Sequence, residues 1–402
     1  MSEQELLIGI IGAGARGVLL AFHAHKPRIG VRVAAVADPN PAAFAPLKER
    51  LGKHLFCTRD YRQLLEREEI GAVIVSSPDF LHEEHAVAAL EAGKAVYLEK
   101  PIAISVQGAD RILRTAYRKR LKIMVGHNMR YMPLIQKMRD LIVKGAIGEV
   151  KAGWCRHFIS YGGDAYFKDW HAERRKTTSL LLQKGAHDID VLHWLCGGYT
   201  KRVTAMGNLA VYNQIRDRHP RSEPGNASWS NEHWPPLSQK GMNPVIDVED
   251  LSMMLMELDN GVLCSYQQCH YTPDAWRNYT IIGTEGRIEN FGDTPGEAVI
   301  RVWNRRSYYN PDGDEQHPIP GTSGGHGGAD PEIVRAFLDY VRFDRKVFTS
   351  PVAARNSVAA GCMATCSLRH GSVPVNVPRL PGHMVEFFEK DVADSSERIE
   401  RG

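Results

Sequence analysis

A handful of residues have types and spacings that suit chemistry. Gly12, Gly14 and Gly17 follow the apolar run 6–11 as Gly-x-Gly-x-x-Gly, with Ala15 and Arg16 between the last two. In such a turn the first glycine permits a sharp bend and the second lets the backbone approach a pyrophosphate. The third lets the next helix pack closely, and phosphates rest on that helix's N-terminal N–H groups. A second apolar run, 31–37, ends in Asp38, where a carboxylate accepts from a ribose hydroxyl and repels a 2′-phosphate. NAD is therefore the expected cofactor. Lys184, His187 and Asp190 recur at three-residue spacing and share one helix face. A histidine so placed suits acid/base work, and Asp190 is positioned to fix its tautomer. Lys100, before Pro101, ends another apolar run, 95–98. Partial desolvation and the positive charge of a nicotinamide would draw a lysine there toward a working pKa.

The elements that must hold these residues alternate over the first third of the chain. Strand-like runs at 72–76, 95–98 and 123–125 are separated by helical segments at 81–92 and 110–119. This rhythm calls for a doubly wound parallel sheet, whose ligands bind beyond the carboxyl ends of the strands. Ser77-Pro78, Glu99-Lys100-Pro101 and Gly126-His127-Asn128 fall at such ends. After Tyr131 the pattern changes. A helix is expected at 132–144 and a stronger one at 179–195. Strands are expected at 150–159, 203–212, 252–258, 261–270 and 279–283. Asp259-Asn260-Gly261 reads as a hairpin turn. The fold class is α/β: a Rossmann domain over 1–128, then an α+β substrate domain with an open antiparallel sheet over 129–380, and a charged tail over 381–402. The polar stretch 213–245 reads equally as a solvated loop and as a lid or oligomer arm. Asp330-Pro331 reads as a helix start with aspartate as the cap.

Composition excludes several classes. The 402 residues carry 43% hydrophobic and 24% charged side chains, ordinary for a globular protein with ample core. A net charge of +3 argues against nucleic acid as the main partner. No apolar run approaches a membrane span. Seven scattered cysteines without a Cys-x-x-Cys pair, and an acidic N-terminus unlike a secretory signal, lead to an expected cytoplasmic location with free thiols. Asn226-Ala227-Ser228 matches a glycosylation triplet that such a chain leaves unused. His82 and His85 complete no metal-ligand set, so no metal is expected.

The chain resembles the Gfo/Idh/MocA oxidoreductases (glucose-fructose oxidoreductase, inositol dehydrogenase and relatives). The residues that carry the resemblance are Gly12 to Gly17, Ser77-Pro78 with His82, Glu99-Lys100-Pro101, Gly185-Ala186-His187-Asp188-Ile189-Asp190 and the turn Gly283-Thr284-Glu285-Gly286. The resemblance implies a nicotinamide cofactor, a sugar or cyclitol substrate, and a homodimer or homotetramer. It implies catalytic roles for Lys100 and His187. Cofactor contacts are expected from Gly12, Gly14, Ala15, Arg16, Gly17, Asp38, Ser77, Pro78, His82, Glu99, Lys100 and Asn128.

In one respect the chain departs from the family pattern. Many sugar dehydrogenases of the family carry Asp four residues before the histidine, and here Gln183 stands there. Lys184 follows, where the family's NAD-dependent glycosidases can place a tyrosine. The basic run with Arg174, Arg175 and Lys176, preceded by Trp170, suggests a clamp for a carboxylate, sulfonate or phosphate. Tyr131, His157, Trp170, Arg174, Arg175, Lys184 and His187 are the expected substrate residues, with Tyr161, Trp276 and His326 as weaker candidates for the pocket and Lys168 adding to the local positive charge. The expected function is NAD-dependent oxidation of a secondary hydroxyl on a neutral or anionic sugar or sugar derivative. The alternative is redox-neutral glycoside cleavage by oxidation at C3, elimination, water addition and re-reduction, acting on an anionic glycoside such as a sulfo- or carboxy-sugar.

Overall fold

The computed structural model describes residues 5–222 and 229–393. The triplet 226–228 and the end of the charged tail, 394–402, lie outside them. The chain divides into two compact units, neither a continuous segment: 1–132 with 323–355 and 380–402, and 133–322 with 356–379. Residues 323–355, assigned by sequence to the second domain, pack in the first. Little in a local pattern tells which core a returning helix joins.

The first unit contains six strands: β1 (Leu6–Ile11), β2 (Val31–Ala37), β3 (Phe56–Thr58), β4 (Ile70–Val75), β5 (Ala95–Leu98) and β6 (Ile123–Val125). All pair in parallel, in the order β3-β2-β1-β4-β5-β6. Their runs are near-continuously apolar because helices cover both faces. The helix Ala329–Phe343 belongs to this unit. Its cap is Gly328, in the left-handed region, and not Asp330, which lies inside the first turn and turns its carboxylate inward.

The second unit is a nine-stranded sheet: β7 (Val150–Phe158), β8 (Thr200–Asn208), β9 (Leu251–Leu258), β10 (Leu263–Cys269), β11 (Trp276–Gly283), β12 (Arg287–Phe291), β13 (Val299–Trp303), β14 (Glu315–Pro318) and β15 (Val375–Asn376). The order is β14-β13-β12-β11-β7-β10-β9-β8-β15. Every neighbouring pair is antiparallel, as sequence suggested, except β7 with β10, which makes the sheet mixed. The long connection between those two strands, through helices and the 209–250 excursion, makes a parallel pairing possible. Gly261 (φ +85°) closes the β9–β10 hairpin.

The strands alternate. Cys155, His157, Tyr266, Met254 and Met256 point to the buried face, while Trp154, Arg156, Met253 and Leu255 point away from it. The helix Gly185–Cys196 packs across β7, β10 and β11 on the buried face. Both ends of the 213–245 stretch are anchored. Tyr212, Ile215, Met242 and Val248 join one apolar cluster with Ile159, Tyr166, Phe167 and Leu180.

Candidate active site

At the carboxyl end of β1 the three glycines act differently. Gly12 has φ +92°, and a Cβ there would meet the backbone nitrogen of Ser77 at 2.5 Å. A Cβ on Gly17 would lie 1.9 Å from the carbonyl oxygen of Gly12, so only glycine lets the helix Ala15–Ala24 sit this close to the turn. A Cβ on Gly14 would meet nothing within 4 Å. Gly14 therefore lines an open cradle at the helix N-terminus, the space a pyrophosphate fills. Asp38 ends β2 with its carboxylate already oriented: Oδ2 accepts from the Ala13 amide (2.7 Å) and Oδ1 from the Asn40 amide (2.8 Å). The residues present fit a dinucleotide with a free ribose 2′-hydroxyl. Fluorescence titration is expected to show tighter binding of NAD than of NADP, and Asp38→Ala to narrow the gap.

Other residues assigned by sequence to the cofactor spend their polar groups on one another. Arg16 donates to Glu99 (2.8 Å) and pairs with Asp330 (2.9 Å). Asn128 donates to Asp330 (2.9 Å), and His326 Nδ1 lies 2.8 Å from its other oxygen. Burial would raise the Asp330 carboxyl, but His326 and Arg16 hold it well below the usual carboxylate range. Glu99 also takes the Tyr97 hydroxyl and the Lys100 amide. His82 is buried between the carbonyl oxygens of Pro101 (2.7 Å) and Ser77 (2.9 Å). The Ser77 hydroxyl is bonded to His85. These residues tie the ends of β1, β4, β5 and β6 together. They fix the strand end from which the half-buried Lys100 projects.

In the second unit the helix expected over 179–195 is broken into Leu180–Gln183 and Gly185–Cys196, with Lys184 at the junction as cap of the second piece. His187 and Asp190 are both buried, in the first two turns of that piece. Beneath them lies a buried polar network that sequence reading missed. Asp188 is 0% exposed. It accepts from Arg277 Nε (2.9 Å), His157 Nδ1 (3.0 Å), the Tyr266 hydroxyl (3.0 Å) and the Tyr279 hydroxyl. Burial alone would raise its pKa, but Arg277 and His157 outweigh burial and hold it far below the ordinary value. His157 is driven down to about 3 by burial and by Arg277, so it is neutral and cannot hold an anion as expected. Asp188 is adjacent to His187 in sequence, but its partners come from β7, β10 and β11, and no local spacing links them.

The anion clamp is not assembled. Arg174 pairs with Glu249 (3.0 Å) and its backbone amide with Asp247. Arg175 pairs with Glu173 (2.7 Å) and is largely exposed, and Lys176 shares Glu173. Lys168 is paired with Asp164. Trp170 stacks on His171, with ring centroids 3.6 Å apart. Tyr131 is buried in the first unit and accepts from the Phe348 amide. Each cation already has its carboxylate, so the segment offers little unmatched charge. Arg174→Ala and Arg175→Ala are expected to leave KM for acidic and neutral sugars alike unchanged in steady-state assays, as exposed ion pairs contribute little.

Comparison with known proteins agrees with this architecture. The family model for the NAD-binding Rossmann fold of an oxidoreductase family matches residues 6–127. The model for that family's C-terminal alpha/beta domain matches 139–377. The chain belongs to the Gfo/Idh/MocA oxidoreductase family, and its first unit is that family's NAD-binding fold. It is 26% identical over 306 residues to levoglucosan dehydrogenase of Pseudarthrobacter phenanthrenivorans, covering 71% of this chain and 73% of that one. It is 32% identical over 207 residues to 2,7-anhydro-N-acetylneuraminate hydratase of Mediterraneibacter gnavus, covering 50% and 52%. A solved levoglucosan dehydrogenase in complex with NADH and levoglucosan superposes with a TM-score of 0.74 at 21% identity, covering 94% of this chain and 100% of that one. Among the described residues no helix is long and apolar enough to cross a membrane, and no group of His, Cys, Asp and Glu could hold a metal.

Proposed function

We propose that this protein is an NAD-dependent oxidoreductase that removes hydride from a secondary alcohol of a sugar or cyclitol. The observation that carries the reading is the open cradle at Gly14, with Asp38 held by two amides at the end of β2 and Lys100 just past the end of β5 in the same sheet. The bound NAD supplies the hydride acceptor. Gly14 and the first turn of Ala15–Ala24 hold the pyrophosphate, and Asp38 takes the adenosine ribose. Lys100 holds the reacting oxygen and stabilises the negative charge that grows on it as hydride departs. His187 orients the hydroxyl. The activity of levoglucosan dehydrogenase, a relative covering most of both chains, supports the substrate class. Incubating the pure protein with NAD and a panel of neutral sugars, anhydrosugars and inositols is expected to yield absorbance at the NADH band. Silence across the panel would overturn the reading.

A second reading is favoured by Gln183, an amide where a proton acceptor stands in many family members, and by a relative that is a hydratase. In it the ketone formed first acidifies the neighbouring C–H, a leaving group is eliminated, water adds, and NADH returns the hydride. Run in heavy water with glycosides, that route places deuterium beside the oxidised carbon without net NADH, whereas plain oxidation accumulates NADH.

The homo-oligomer suggested by the resemblance is proposed to use the open sheet face. There Trp154, Met206, Met253, Leu255 and Leu263 are exposed, an apolar patch of the kind that marks association. Leu255→Glu is expected to lower the mass measured by light scattering.

A further inference from the structure

Lys184 is the least conventionally placed cation of the second unit. Its side chain is buried, yet among the described residues no carboxylate lies within ion-pair distance. Its Nζ instead donates to the hydroxyl of Tyr161 (3.3 Å) and sits 5.5 Å from the Tyr161 ring centroid and 5.6 Å from that of Tyr166. Tyr161 caps the short helix Gly162–Tyr166 and is half-buried, less enclosed than the amine that it meets. Lys184 also caps the helix whose third residue is His187. Buried lysines normally have a carboxylate partner. The ring faces attract an ammonium, but with a phenol in place of a carboxylate there is no counter-charge within ion-pair distance to hold the proton on it.

We propose that Tyr161 and Lys184 form a proton-transfer pair, in which Tyr161 touches the substrate hydroxyl and Lys184 receives the proton through it. The inference rests on the oxidoreductase reading above. As hydride passes to NAD, the C–O bond becomes a carbonyl. The hydroxyl proton moves to the Tyr161 oxygen, and the phenolic proton moves to the Lys184 amine. Alcohol, NAD and neutral amine thus become ketone, NADH and ammonium, with nothing else consumed.

The surroundings keep the amine available. Burial, then Arg277 on β11, lower the Lys184 pKa to about 7, while Asp188 on its own helix and Asp293 beyond β12 act in the opposite sense. His157 on β7 and His270 after β10 are the other titratable groups facing it. Both are buried, and both are held neutral at pH 7. Gln183, one residue earlier, cannot take a proton, so the lysine fills that office in this chain.

The test uses levoglucosan and myo-inositol as probes with the full chain. Wild-type kcat is expected to rise about tenfold per pH unit below pH 7 and level off above, since only the neutral amine accepts. Lys184→Met, Lys184→Arg and Tyr161→Phe are each expected to lose the limb and on the order of 10²-fold in kcat, with KM and NAD binding little changed. Arginine keeps charge and length but cannot lose its proton. If Lys184→Arg retains the rate and the limb, the lysine is structural and the inference fails. If the wild type turns over neither these probes nor any other sugar, the function reading falls and takes this step with it. A measurement free of activity separates the two. Unfolded lysine keeps its proton to about pH 10.4, but folded Lys184 keeps it only to about 7. The urea midpoint of wild type should therefore gain on that of Lys184→Met as pH rises from 7 to 10. Parallel curves would show a lysine charged throughout and would overturn the pair.

Discussion

Lys100→Ala is expected to lower kcat by a factor of about 10²–10³ or more while leaving NAD binding intact. A single preorganised donor at a developing oxyanion is worth that much when removed. The dissociation of function from binding follows from where the contacts lie. The proposed pyrophosphate cradle is built by Gly12, Gly14 and Gly17, and the ribose position by Asp38, whose bonds run to Ala13 and Asn40. None of these involves the Lys100 side chain. The strand end itself should survive, because Glu99 accepts from Arg16 and Tyr97, and His82 still spans Ser77 and Pro101. Stopped-flow hydride transfer and fluorescence titration of NAD on the same variant provide the check. His187→Ala is expected to lose rate as well. Near-normal rates in both variants would remove them from the reaction.

The second large effect falls on stability. Asp188→Ala is expected to destabilise the second unit by about 3–5 kcal/mol, the usual consequence of leaving one partner of a buried ion pair without its counter-charge. The change would take from the buried Arg277 guanidinium its nearest carboxylate, leaving it Asp293 at 3.7 Å, and would take an acceptor from the Tyr279 and Tyr266 hydroxyls, of which Tyr266 keeps Gln268 (3.1 Å). Double replacement of Asp188 and Arg277 by apolar residues should restore part of the loss. A loss in the double variant equal to the sum of the two single losses would show that the pair is not coupled. The same network makes the fold acid-sensitive in a definite order. His157 is neutral in the fold down to about pH 3 but takes a proton near 6.5 when unfolded, so stability declines as pH falls from about 6.5. Asp188 is held far below the unfolded value near 3.9, so its contribution is complete above that pH and drains away below it. Urea midpoints between pH 7 and 3 should trace both phases. Asp188→Ala should remove the lower one, and its removal also relieves His157 of the carboxylate it faces.

The two halves of the chain differ in how readily they are read. The Rossmann unit is legible because its chemistry is local. Three glycines within six residues do three separate steric jobs, and Asp38 sits one residue past the run that becomes β2. The strands are continuous apolar runs, which few other structures allow. In the second unit β7, β9 and β10 were expected within a residue or two of where they lie, since alternation survives on a sheet with one open face. Strands β12 to β14 were missed. Arg287–Phe291 is short and carries two charges, and Glu315–Pro318 carries charge and proline at the sheet edge, where an outward face need not be apolar. The parallel β7–β10 pair was missed because pairing across more than a hundred residues leaves no local pattern.

By itself, then, the sequence determined the cofactor fold, its glycine turn and the carboxylate that ends β2. Backbone sterics and hydrophobic period act over a few residues and are written there. Only the tertiary structure decided what each charged side chain is for. Arg174 and Arg175 look like a clamp until Glu249 and Glu173 are found beside them. Arg16 looks like a cofactor ligand until Glu99 and Asp330 close on it. Lys184 looks like a charged substrate contact until burial against Tyr161 and Tyr166 makes its proton negotiable. The reason is that a charge takes its meaning from its partners and its solvent exposure. Both are set by strands and helices brought together from distant parts of the chain.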